Sequence, residues 1–278
     1  MKTITLPDEL TIDGLQPVQI FDYSSSKEIV KQQIILNQNT FSFLMEGNKE
    51  VVFDNSTLSI DNAKFLIMKS GHCLMTEKLA DTRNYRSVLL FFSNDILLKF
   101  IRKNDLNKNE LSESKSVYSF NYDPFIQRFV HSLLDISKLS KNIQNRMLEV
   151  KFEEIILYLT EIYGTDYLYA LSVKSNDTSQ KFVKTVETNW MSKLTLKELA
   201  FLCNMSVSTF KREFGKHYAK SPLKWFQNKR LEYAHHLLHT EQKSSSEIYL
   251  EIGYENLSSF IQAYKSKYGI TPKQHHKN

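Results

Sequence analysis

Hydrophobic and polar positions follow two different rhythms along this chain, and the change from one to the other divides it. In FSFLMEGNKEVVFDNSTLSIDNAKFLIMKSGHCLM, runs rich in Phe, Val, Ile and Leu are broken at Gly47-Asn48, Asp54-Asn55, Asp61-Asn62 and Ser70-Gly71. Short apolar runs between turn-forming pairs predict strands of an antiparallel meander or barrel. YRSVLLFF, Tyr85 to Phe92, predicts another strand. Beyond it the spacing becomes helical. Asn94 or Asp95 can cap a short helix through Ile101, and Asp123-Pro124 starts one that runs to about Ile136, with Pro at its first position. From Lys141 to Tyr163, Ile143, Met147, Val150, Ile155, Ile156, Leu159 and Ile162 recur at helical spacing, so one face of this helix is buried. That face can pack on its own domain, form a seam with a second copy of the chain, or do both.

Ser172 to Gln180, SVKSNDTSQ, holds one large apolar residue, Val173, and is predicted to be a linker. Three parts follow: residues 1–171 as a regulatory and dimerisation domain of strands then helices, 172–180 as linker, and 181–278 as an all-helical domain. Within the last part, Thr195 and Glu198 form a T-x-x-E capping box, so a helix starts at Leu196 and runs to about Cys203. Ser206 caps the next helix, which buries Val207, Phe210 and Phe214 and turns Ser208, Lys211, Arg212 and Gly215 outward. Two short helices joined by a tight turn, the second with a basic outer face, make a helix-turn-helix.

The motif recurs. Shifted by 50 residues, TFKREFGKHYAKSP (Thr209 to Pro222) lies over SFIQAYKSKYGITP (Ser259 to Pro272), with Phe210 over Phe260, Phe214 over Tyr264 and Tyr218 over Tyr268. Ser206 lies over Asn256, a second capping residue, and Ser244 with Glu247 makes an S-x-x-E box before Ile248, Leu250 and Ile252. Between the units, Pro222 to Leu238 reads as one stiff helix with Trp225, Phe226, Leu231, Ala234 and Leu238 apolar. It should fix two recognition helices on adjacent major-groove segments, roughly 10 bp apart.

Charge follows the same division. Of 36 Lys and Arg and 31 Asp and Glu, residues 191–278 hold 14 basic residues against seven Glu and no Asp, a net +7. The remainder is −2, and six of the eight His also lie in the C-terminal part. A polyanionic partner for that part alone is implied. Cys73 and Cys203 suggest neither a disulfide framework nor a paired-cysteine zinc site. No apolar run approaches the ~20 residues that span a bilayer, and MKTITLPDEL lacks a basic region followed by a hydrophobic one. A cytoplasmic protein without a membrane partner is expected.

The motifs ELAFLCNMS, F-x-x-x-F across Phe210 and Phe214, SPLKW, RLEYAHHLL, EIGY and YGITP, together covering nearly all of Phe182 to His275, resemble the AraC/XylS-type transcriptional regulators. The resemblance implies an α+β chain: an N-terminal antiparallel cupin-like β-barrel followed by helices, then an all-α DNA-binding domain with two helix-turn-helix units. The N-terminal half is similar to the group that contains the type III secretion activators. A sequence-specific DNA-binding regulator is implied, an activator as most relatives are, with promoter DNA and RNA polymerase as partners. The resemblance also implies a homodimer through the Lys141–Tyr163 helix and control by a small-molecule or protein effector.

The first recognition helix offers Ser206, Ser208, Thr209, Lys211 and Arg212 to DNA, and the second Asn256, Leu257, Ser258, Ile261 and Gln262. By resemblance, base reading falls on Ser208, Lys211 and Arg212, and on Leu257, Ser258, Ile261 and Gln262. Lys and Arg can donate to guanine O6 and N7, Gln to adenine, and Ile can pack on a thymine methyl. Lys216, Lys220, Lys229, Lys265 and Lys267 are candidates for phosphate contacts or for plain solvation. Tyr249 stands where the family usually has a small residue and Gln262 where Arg is frequent, so the first unit is expected to contribute more of the affinity.

The rival reading is a cupin-type metalloenzyme or small-molecule binding protein with an incidental basic tail. A cupin metal site needs about three His and a carboxylate, and residues 1–171 offer only His72, read as a turn residue, and His131. No catalytic residue, metal or cofactor is therefore assigned. His235, His236 and His239 belong to the connector helix and face solvent or phosphate, and His275-His276 read as a frayed tail. Phe41, Phe43, Phe53 and Phe65 either fill the barrel or line a pocket.

Overall fold

The computed structural model describes residues 2–10, 14–106, 115–172 and 178–275. The chain divides into two compact units, Met1–Asp177 and Thr178–Asn278. The last helix of the first unit ends at Ser172 and the first of the second begins at Thr178, so most of the expected linker lies outside the described residues.

Among its described residues the first unit is built on ten strands: β1 (Ile4–Leu6), β2 (Val18–Ser25), β3 (Ile29–Leu36), β4 (Asn39–Glu46), β5 (Asn48–Val52), β6 (Thr57–Ile60), β7 (Lys64–Met68), β8 (Gly71–Lys78), β9 (Tyr85–Phe92) and β10 (Val117–Asn121). They form two five-stranded sheets, β1-β3-β8-β5-β6 and β10-β7-β4-β9-β2. Every pair is antiparallel except β1 on β3. The cupin-like expectation therefore takes the form of two facing sheets rather than a closed barrel. The chain passes from one sheet to the other at Gly47, where φ is +92° and a Cβ would run into the Lys78 carbonyl, leaving no room for a side chain.

Strand alternation gives the second sheet two buried faces. Phe41, Phe43, Phe65, Val88 and Leu90 point to one side, where they meet α1 (Asn94–Lys103), α2 (Pro124–Ile136), α3 (Lys141–Tyr163) and α4 (Asp166–Ser172). Leu44, Leu66, Met68, Leu89 and Phe91 point to the other, against Ile34, Val51, Cys73 and Met75 of the first sheet. Three layers result. Of the four phenylalanines expected to fill the barrel or line a pocket, Phe41, Phe43 and Phe65 thus fill the layer between sheet and helices, and Phe53 lies in the layer between the sheets.

Three local expectations are corrected. Ser93 caps α1, accepting from the Ile96 amide at 3.3 Å; Asn94 and Asp95 lie inside the helix, because its first turn begins one residue earlier. His72 sits in β8 opposite Ile35, not in a turn. The apolar residues of α3 belong to two faces: Leu148, Phe152, Ile155, Ile156 and Leu159 are buried, while Ile143, Met147, Val150 and Ile162 are exposed, Val150 by 67%. Both stripes have three-and-four spacing, so periodicity alone could not choose between them.

Between the sheets lies a buried ion pair. Lys49 Nζ stands 3.4 Å from Glu77 Oε1 and donates to Ser42 Oγ at 3.1 Å. Burial disfavours the ammonium, but Tyr85 and Glu77 outweigh it and hold the Lys49 pKa above its ordinary value. Burial pushes the Tyr85 phenol up to about 12. In the unfolded chain these groups lose their protons near pH 10, before the folded chain does. Their contribution to stability is therefore complete below about pH 10 and is lost above it. The urea midpoint of the N-terminal unit, followed by the 13C-methyl signals of Met45, Met68 and Met75, is expected to be lower at pH 11 than at pH 9; an equal or higher midpoint would contradict this.

The second unit contains helices alone among its described residues: α5 (Thr178–Thr188), α6 (Leu196–Leu202), α7 (Val207–Tyr218), α8 (Pro222–His239), α9 (Ser245–Ile248), α10 (Leu257–Tyr268) and α11 (Pro272–His275). It has two small cores. Phe182, Val186, Leu199, Phe210 and Phe214 form the first with Trp225 and Phe226 of α8. Ile248, Ile252, Phe260 and Tyr264 form the second with Leu231, Ala234, Leu237 and Leu238 of the same helix.

Candidate nucleic-acid interface

Each recognition helix is placed by short-range chemistry. The Thr195 hydroxyl accepts from the Glu198 amide at 3.2 Å, and the Glu198 carboxylate accepts from the Thr195 amide at 2.6 Å, closing the capping box that starts α6. Cys203 caps the end of the helix, and the φ of +56° at Asn204, the next residue, is left-handed. There the Met205 amide donates to the Ala200 carbonyl and the Asn204 amide to the Phe201 carbonyl, both at 2.9 Å, a Schellman pair. Asn tolerates that conformation better than most residues. Ser206 then starts α7, accepting from the Thr209 amide at 3.1 Å.

The second unit repeats this with one change. Ser244 and Glu247 close the same box, and Tyr254 and Gly253 donate to the Tyr249 and Leu250 carbonyls as a second Schellman pair. Asn256 accepts from the Ser259 amide at 2.8 Å to start α10. The 50-residue register holds from Asn256 onward, but before it the register is one residue shorter, because Glu255 is an extra residue in the second turn. The helix before that turn has only four residues, and Leu250 is exposed rather than part of the core. Both recognition helices have 12 residues and end in a left-handed cap, Ala219 and Gly269.

The side chains expected to meet DNA divide by exposure. Ser208, Lys211 and Arg212 project into solvent from α7, and the Thr209 hydroxyl lies 2.9 Å from that of Ser206. On α10, Ser258 and Gln262 are exposed, while Leu257 and Ile261 are half-buried against the second core. Lys216, Lys220, Lys229 and Lys265 are exposed. Lys216 pairs with Glu213 at 2.8 Å on the helix surface, and the Lys229 ammonium lies 5.6 Å from the Trp225 ring. Surface pairs of this kind are worth little and can open for a phosphate.

Lys267 is engaged differently, donating to the Asn228 carbonyl at 2.8 Å and to Glu232 Oε1 at 3.0 Å, which ties α10 to α8. Tyr268 adds a bond to the Leu231 carbonyl at 3.3 Å. His235 was expected to face solvent or phosphate; instead its Nδ1 lies 2.9 Å from the Tyr264 hydroxyl and its ring stacks on Tyr268 at 5.0 Å, so it too faces α10. His236 and His239 are exposed, and of the terminal pair His276 lies outside the described residues.

One further positioning residue lies on the connector helix. Arg230 of α8 donates to the Ser192 carbonyl at 3.1 Å, and its guanidinium lies 3.4 Å from where a Cβ on Gly253 would stand. It bridges the approach to α6 and the turn before α10. A single Arg on a connector helix carries no local signal of this. Among the described residues no three His, Cys, Asp or Glu come together as a metal site, and no helix is long and apolar enough to cross a membrane.

A duplicated helix-turn-helix with one basic outward face, carried behind a two-sheet domain, defines a DNA-binding transcription regulator. Two family profiles match the chain: residues 39–171 match the ExsA N-terminal regulatory domain, and 199–278 a helix-turn-helix domain. Over 248 residues it is 31% identical to the virulence regulon transcriptional activator VirF of Yersinia enterocolitica, covering 86% of this chain and 89% of that one. It is 24% identical over 236 residues to the HTH-type transcriptional regulator ExsA of Pseudomonas aeruginosa, covering 83% of each. Among solved structures, ToxT from Vibrio cholerae aligns over 94% of this chain and 98% of its own, with 15% identity and a TM-score of 0.41. The chain belongs to the AraC/XylS-type transcriptional regulators. Its relatives are regulators, not enzymes.

Proposed function

We propose that this protein is a cytoplasmic transcriptional activator whose α7 and α10 enter adjacent major-groove segments of one promoter site. The observation that carries the reading is the sharing of α8 between two cores, which holds two outward-facing helices in one arrangement. Arg212 and Lys211 read guanine and Gln262 reads adenine, with Ser208 and Ser258 beside them and Ile261 and Leu257 offering apolar edges. Ser206, Thr209 and Asn256 fix the helix starts near the phosphates, where free amides favour an anion. Lys216, Lys220, Lys229 and Lys265 supply phosphate contacts and salt dependence, and Lys267 acts by holding α10 on α8.

One name supports activation, since VirF is described as a transcriptional activator, whereas ExsA is described as a transcriptional regulator. On that reading RNA polymerase is the second partner. Residues 1–171 regulate and dimerise, 172–180 link, and 181–278 bind DNA. The dimer forms through the outer stripe of α3, Ile143, Met147, Val150 and Leu157, all exposed on the single chain and spaced as a coiled-coil seam. A small-molecule or protein effector acts through the N-terminal unit.

The test compares Arg212→Ala and Gln262→Ala on one operator fragment by retardation. Arg212→Ala is expected to lose roughly ten- to a hundred-fold in affinity, and Gln262→Ala less. A larger loss from Gln262→Ala would reverse the ranking of the two units, and no loss from either would remove base reading from these faces. Genome-wide mapping of bound sites then supplies the operator and its spacing.

A further inference from the structure

We propose that the N-terminal unit binds, between its two sheets, a small and largely apolar molecule bearing one neutral hydrogen-bond donor such as a hydroxyl. This rests on the reading of that unit as regulatory and narrows its effector to a chemical class. The space is a cavity of about 230 Å³. Ile34, Leu36, Met68, Met75, Leu89 and Phe91 supply apolar walls from both sheets, and Leu6 and Leu10 add the N-terminal segment. None of Phe41, Phe43, Phe53 and Phe65 lines it. An apolar cavity of about 150 Å³ accommodates benzene, so this one has room for roughly eight to ten non-hydrogen atoms.

One end of the cavity is polar. Lys49 and Glu77 line it with side chains only 3% and 5% exposed, and Thr40 and Tyr23 stand with them. Lys49 is occupied by Glu77 Oε1 and Ser42, and the Tyr23 and Tyr85 phenols lie near the same carboxylate, but the second oxygen, Glu77 Oε2, is buried without a hydrogen-bond partner, as is the Tyr85 hydroxyl. A buried acceptor left without a donor is costly, and a bond to a charged group is stronger than one between neutral groups. A donor entering along the apolar walls would remove that cost.

The charges decide what kind of donor fits. A ligand carboxylate would meet Glu77, whose partner Lys49 is already neutralised by it, and also Glu9, which lines the cavity and pairs with Lys2 at 3.0 Å. A ligand ammonium would meet Lys49. A hydroxyl brings a donor without a net charge and matches the unsatisfied Glu77 oxygen that lines the cavity.

The experiment uses the full chain labelled with 13C at its methionine methyl groups and three probes of nearly equal size: octan-1-ol, 1-methoxyheptane and octanoate. Octan-1-ol is expected to shift Met68 and Met75 saturably while leaving Met147, Met191 and Met205 in place. The ether, lacking the donor, and octanoate are each expected to bind about ten-fold or more weakly. Equal binding by the ether, preferred binding by octanoate, or no saturable shift at Met68 and Met75 up to the solubility limit would each overturn the inference. Retardation of promoter DNA by the same sample is read separately. Retardation without methionine shifts defeats the cavity and spares the regulator; shifts without retardation defeat the regulator and spare the cavity.

Discussion

Separating the two half-sites of an operator by half a helical turn, about 5 bp, is expected to weaken binding by about a hundred-fold or more. The reason lies in α8. Its N-terminal part is buried in the first core through Trp225 and Phe226, and its remainder in the second through Leu231, Ala234, Leu237 and Leu238. Lys267, Tyr268 and His235 add polar ties between α10 and α8. Half a turn of DNA carries the second half-site to the far face of the duplex, and α10 cannot follow without breaking those contacts. Base contacts from one unit are then lost, at about 1–3 kcal/mol each, while phosphate attraction remains. Retardation with inserts of 0, 5 and 10 bp measures this. A full turn restores the face but not the distance, so it too should bind weakly. Equal affinity across the series would mean that the two units move independently.

Phe214→Ala is expected to destabilise the C-terminal unit by about 3–5 kcal/mol. Phe214 is fully buried, and its ring lies 4.6 Å from Tyr218, 5.6 Å from Trp225, 5.8 Å from Phe226 and 5.9 Å from Phe210. Four aromatic neighbours from two helices cannot close over the space a phenyl ring leaves, so a cavity is added to the lost burial. Domains are stable by only about 5–15 kcal/mol, and a core this small has little to spare. Both tryptophans, Trp190 and Trp225, lie in this unit, so denaturant titration followed by tryptophan fluorescence reports on it alone. Phe214→Leu, which keeps most of the volume, should lose less. A loss below about 1 kcal/mol for Phe214→Ala would show that the core rearranges to fill the gap.

The readable parts of the chain were those fixed by neighbours in sequence. Thr195 with Glu198, Ser206, and Ser244 with Glu247 start helices where the capping rules place them, because a cap satisfies amides two or three residues away. Strands β4 to β9 are legible because each holds a short apolar run set off by turn-forming residues, and β7 and β9 are apolar on both faces. Strands β2 and β3 have no such signature, since VQIFDYSS and IVKQQIIL mix Gln, Lys, Asp and Ser with their apolar residues. Strand β10 stands apart, between helices, and joins its sheet only through β7.

By itself the sequence determined that this protein carries two matched helix-turn-helix readers on a helical connector, behind a domain of strands and helices, with the positive charge on the reader half. Only the tertiary structure decided which stripe of α3 is covered, that Phe41, Phe43 and Phe65 face helices, and that Arg230 reaches Gly253. It also brought Lys49 and Glu77 together at the end of an apolar cavity. Periodicity records that a face is apolar but not what will cover it. The covering element comes from strands and helices far away in sequence, and their crossing has no trace in any local run of residues.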